Sequence, residues 1–66
     1  MSKYEVVLID ANGVLVSSEI VQANSFEDAL RSVVPKADFY NPLPSSDPKL
    51  QSYEGLKYNA RVTLLT

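Results

Sequence analysis

Apolar and polar positions interleave along the first part of the chain. From Lys3 to Ile9, Tyr4, Val6 and Leu8 alternate with Glu5, Val7 and Ile9, and the β-branched and aromatic content predicts a strand rather than a helix. A second β-branched run, Val14 to Val21, follows Asp10-Ala11-Asn12-Gly13, so residues 3–21 are expected to form a β-hairpin. Two registers fit the turn. A two-residue Asn12-Gly13 turn sets Ala11 opposite Val14 and gathers Val7, Ile9, Val14 and Val16 on the face that a helix would cover. A three-residue Ala11-Asn12-Gly13 loop sets Asp10 opposite Val14, which places Tyr4, Val6, Leu8, Val16 and Ile20 under the helix and leaves Val7, Ile9, Leu15 and Val21 on the other face. Asp at the first turn position and Gly at the fourth favour the longer loop. In that register Glu5 sits across from Glu19, a pair tolerable on a solvated face.

Beyond the hairpin the period changes. Phe26, Ala29, Leu30, Val33 and Val34 recur at helical spacing and form one apolar stripe, with Asn24 or Ser25 as cap and Pro35 as stop, so a helix is predicted over 25–34. From Pro35 to Lys57 neither period persists, and all four prolines fall between positions 35 and 48. This stretch is expected to be a long loop, folded back over the hairpin's uncovered face because it carries Phe39, Tyr40 and Tyr53. Tyr58, Ala60, Val62 and Leu64 alternate with polar neighbours and predict a last strand over 58–65. The expected fold is therefore a single α+β domain of ββαβ type. It has a three-stranded antiparallel sheet of order 2-1-3, one helix on one face and a Pro/Tyr-rich loop before the last strand.

Composition narrows the chemistry. The chain has 66 residues, no Cys and no His, which removes disulfides, thiolate nucleophiles, Cys/His zinc sites and imidazole acid-base catalysis together. A domain this small buries only about 60% of its unfolded surface, so association with a partner or a second copy is the stabilising addition still open. Six basic against eight acidic residues, with no run of like charge, argue against nucleic-acid binding through clustered Lys and Arg. No apolar run approaches a membrane span and no signal-peptide layout opens the chain, so a cytoplasmic location is expected.

One stretch carries a resemblance. Leu8-Ile9-Asp10-Ala11-Asn12-Gly13-Val14-Leu15-Val16-Ser17-Ser18-Glu19 resembles motif I of the haloacid-dehalogenase phosphatases, with Asp10, Gly13, Val14, Leu15, Val16, Ser18 and Glu19 matching. The resemblance implies Asp10 as the nucleophile on phosphorus, a magnesium ion beside it and a parallel α/β sheet. Asn12 stands where that family has its acid-base aspartate, and an amide cannot exchange the proton. The match ends at residue 19, and the family's downstream Ser/Thr, Lys and metal-binding acids find no place in a chain of this length. Asp-Ala-Asn-Gly between β-formers is also a good turn, and the turn reading is preferred because a motif needs its structural context.

No catalytic, cofactor-binding or metal-binding residue is assigned. The expected function is non-enzymatic protein binding, as an accessory subunit, assembly factor or inhibitor of the compact kind phages encode, or as a homo-oligomer. The candidate contact residues are Val7, Ile9, Leu15 and Val21 on the second hairpin face, with Phe39, Tyr40, Leu43 and Tyr53 from the loop. The edge of the second strand is a further candidate, where a partner strand could add. A single-stranded nucleic-acid binder that stacks bases on Tyr40, Tyr53 and Tyr58 is the alternative.

Overall fold

The hairpin forms, but its turn and its strands follow different registers. The computed structural model describes residues 1–66, with β1 at Ser2–Ile9 and β2 at Leu15–Ala23 paired antiparallel. At the turn, the Asp10 amide donates to the Val14 carbonyl and the Gly13 amide donates to the Asp10 carbonyl, both at 3.0 Å. Gly13 lies at φ +81°, in the left-handed region that glycine enters without steric cost. This is the longer loop. Ile9 then faces Leu15, yet Leu8 faces Ser17, so Val16 is an extra residue, a β-bulge. Past the bulge the parity of β2 inverts, because side chains alternate with a period of two. Tyr4 pairs with Val21, Glu5 with Ile20 and Val6 with Glu19. The expected placement of Val16 and Ile20 under the helix is therefore corrected: Ile20 is 65% exposed on the opposite face, and Val21 packs against the core instead. Glu5 and Glu19 lie on opposite faces and form no pair.

The helix α1 spans Phe26–Arg31, shorter than the predicted 25–34. Ser25 caps it, its hydroxyl oxygen accepting from the Asp28 amide at 3.1 Å, and Glu27 and Asp28 complement the positive end of the backbone dipole. The amides of Val33 and Val34 both donate to the Leu30 carbonyl, so a tightened turn carries the apolar stripe on to Val34 before Pro35 stops it. Ala29, Leu30 and Val34 are buried, and Phe26 meets Tyr4 edge to face with ring centroids 5.2 Å apart.

The three-stranded sheet and the long loop are overturned. Residues expected to be loop contain β3 at Tyr40–Pro42 and β4 at Leu50–Gly55, and the last strand, β5, is Asn59–Leu64. The sheet has five strands in the order β2-β1-β5-β4-β3, with every neighbouring pair antiparallel. Two features hide the added strands in the sequence. β3 is three residues long and contains Pro42, while β4 presents only Tyr53 as a buried side chain.

Gly55 allows β3 and β4 to close on each other. It faces Tyr40, and a Cβ there would lie 2.5 Å from the Tyr58 carbonyl oxygen and 2.7 Å from the Tyr40 ring. The aromatic ring occupies the space of the missing side chain. Arg31 fastens the segment between helix and β3, donating to the Asp38 carbonyl at 2.6 Å with its guanidinium carbon 5.9 Å from the Tyr40 ring centre. The core lies between α1 and one face of the sheet, centred on Val6, Leu30 and Val62. No helix is long and apolar enough to cross a membrane.

Candidate functional site

With its single helix on one side, the sheet leaves its other face uncovered. Alternation from the buried Tyr4, Val6 and Leu8 puts Glu5, Val7 and Ile9 of β1 on this open face. Pairing brings Ile20, Ser18 and Leu15 of β2 beside them, and Thr63, Arg61 and Asn59 of β5 on the other flank. The apolar residues gather toward the hairpin. Leu15 stands across from Ile9, Ile20 lies across from Glu5, and Val14 and Val16 are exposed around the bulge. The Ser18 hydroxyl lies 3.5 Å from a Glu5 carboxylate oxygen, a long polar contact on the same face.

Toward β3 the open face dips. A shallow hollow of about 240 Å³ is lined by Ile9, Leu43, Ser52 and Arg61 among others, and a neighbouring one of about 470 Å³ runs from Glu54 and Asn59 to Phe39 and Leu56. Leu56 is 99% exposed at the β4–β5 turn and Phe39 is 67% exposed, an uncovered apolar pair at the rim. Leu56 carries no signal in the sequence. It lies within a turn, where no period distinguishes it from an ordinary surface leucine.

The predicted contact residues thus divide. Val7, Ile9 and Leu15 share the open face, Leu43 joins Ile9 around one hollow, and Phe39 borders the next. Val21, Tyr40 and Tyr53 turn the other way: Val21 packs on the core, and Tyr40 and Tyr53 are 6% and 7% exposed within it. Burial raises the pKa of both tyrosines, with Asp38 adding to the rise at Tyr40 and Glu27 at Tyr53, and Arg31 opposing it at each. A tyrosine so placed holds strands together and leaves little of its ring exposed. Tyr58, the remaining stacking candidate, is half-buried.

The stretch resembling a phosphatase motif is the hairpin turn. One carboxylate oxygen of Asp10, Oδ1, accepts from the Asn12 and Val14 amides, each at 2.9 Å, so the side chain is engaged in fixing the loop. The strand that follows returns antiparallel beside β1, and no pair of strands in the sheet is parallel. No cluster of three or more metal-ligating side chains is brought together anywhere.

The sheet ends in two unlike edges. β2 is nine residues long and holds no proline and one charge, Glu19. β3 has three residues and ends in Pro42. Comparison of the chain with protein-family models, with curated proteins and with solved structures finds no match to any of them.

Proposed function

We propose that this chain is a non-enzymatic protein-binding module, of accessory-subunit or inhibitor type, that engages its partner through the helix-free face of the sheet. The observation that carries this reading is the row of Leu15, Ile9, Val7 and Ile20 on a face that no other element covers, extended by Leu43 and Phe39 around two hollows. An apolar patch rimmed by Glu5, Ser18, Arg61 and Glu54 has the composition of a contact surface: an apolar centre with a polar border. Tyr40 and Tyr53, two of the three tyrosines on which the nucleic-acid alternative rests, are buried, which favours the protein-binding reading.

The test is affinity capture from the native host with the wild-type chain and with a double variant, Ile9→Lys with Leu43→Ser. Both positions lie on the open face and outside the core, so the thermal midpoint is expected to stay near the wild-type value while the captured partner is lost. Undiminished capture by the double variant, or no specific capture by the wild type, overturns the reading.

A further inference from the structure

The edge of β2 carries backbone groups that no other strand pairs. Leu65 donates to the Lys3 carbonyl at 2.8 Å, so the Lys3 backbone points toward β5. Backbone direction alternates along a strand, hence Tyr4, Val6 and Leu8 point toward β2 and bond Val21, Glu19 and Ser17. The amides and carbonyls of Ser18, Ile20 and Gln22 consequently face outward with no strand beyond them. The other edge offers less by the same logic. Leu43 donates to the Ser52 carbonyl at 2.9 Å, so Asn41 also points inward and the outward positions of β3 are Tyr40 and Pro42, of which Pro42 has no N–H. β2 also lacks the lysines and prolines by which exposed edges are ordinarily protected, and its bulge at Val16 lies outside the regular stretch from Ser17 to Ala23.

We propose that the partner at this edge is a second copy of the chain, joined β2 to β2 antiparallel about a two-fold axis through Ile20. Charge and the bulge select that centre. Pairing about Glu19, the midpoint of the strand, would set two carboxylates directly opposite each other. Pairing about Ser18 would draw the bulged Val16 into the ladder. The regular stretch from Ser17 to Ala23 is centred on Ile20, which points its backbone outward as a hydrogen-bonded two-fold pair requires. On the open face Ile20 then meets Ile20 of the second copy, and Ser18 meets Gln22. On the helix side Glu19 meets Val21, keeping each carboxylate off its counterpart. The apolar row of each open face becomes continuous with the other, so the inference deepens the binding-face reading and shares Ile20 with it.

The experiment measures the mass of the full-length chain by sedimentation equilibrium across a range of concentrations, for wild type, Ile20→Lys, Ile20→Cys and Ser18→Cys. The wild type is expected to dimerise and Ile20→Lys to remain monomeric with an unchanged circular dichroism spectrum. Under mild oxidation Ile20→Cys cross-links to itself, since a hydrogen-bonded pair holds its Cα atoms about 5.5 Å apart, within disulfide reach, whereas Ser18→Cys does not. A monomeric wild type overturns the proposal. A dimer that survives Ile20→Lys, or that cross-links through Ser18→Cys, overturns it as well. Partner capture that depends on Ile9 and Leu43 while the chain stays monomeric overturns the dimer and leaves the binding-face reading standing.

Discussion

The two faces of the sheet are built from the same residue types and are put to different uses. Under the helix, Tyr4, Val6 and Leu8 of β1 meet Val62 and Ala60 of β5, and all are buried. On the open face the intervening residues Val7 and Ile9 are only half-buried and stand among Glu5, Arg61, Asn59 and Ser18. A strand cannot hide both of its faces in a domain with one short helix, so apolar residues on the second face gain little from folding. Their benefit is realised only when something else covers them. The contrast separates residues that hold the fold from those available for contact, and substitution can test that separation.

The largest effect is expected at the helix. Leu30 is 1% exposed between α1 and the sheet, and Leu30→Ala should cost about 2–5 kcal/mol, a large part of the stability of so small a domain. Urea unfolding measures this directly; a loss under half a kilocalorie would mean that the helix does not anchor the covered face. Next comes Gly55→Ala. Its Cβ would stand 2.5 Å from a backbone oxygen and 2.7 Å from the Tyr40 ring, so β3 or the β4–β5 turn must move, at a cost of roughly 1–3 kcal/mol. An unshifted thermal midpoint would show that β3 packs more loosely than its covered tyrosine implies.

The smallest effect is set by pH. Because burial raises the Tyr40 and Tyr53 pKa, the folded state disfavours the phenolate more than the unfolded chain does. Their contribution is full below the unfolded value, about 10, and is lost as pH rises through the folded one. Stability followed by chemical denaturation should fall in that alkaline window, and Tyr40→Phe with Tyr53→Phe should flatten the fall. An equally steep decline in the double variant would assign the effect to other groups.

The turn and the helix stripe were legible in the sequence because each depends on near neighbours. Asp10 and Gly13 specify their loop within four residues, and Ser25 with Phe26, Ala29, Leu30 and Val34 specify a capped, one-sided helix. Val7, Ile9 and Leu15 could be placed on the open face for the same reason. The strands β3 and β4 could not be read, since a three-residue segment ending in proline becomes a strand only when Tyr40 finds Gly55 and Asn41 finds Glu54.

The sequence by itself determined the Asp10-to-Gly13 turn and the capped helix, consequences of local backbone preference, and which residues are apolar. Only the tertiary structure decided which of those residues face the core. A single bulged residue, Val16, exchanged Ile20 for Val21 beneath the helix, and pairing across the chain made Tyr40 and Tyr53 interior residues. Facing is a parity, and one unpaired residue or one distant hydrogen-bonded partner is enough to reverse it.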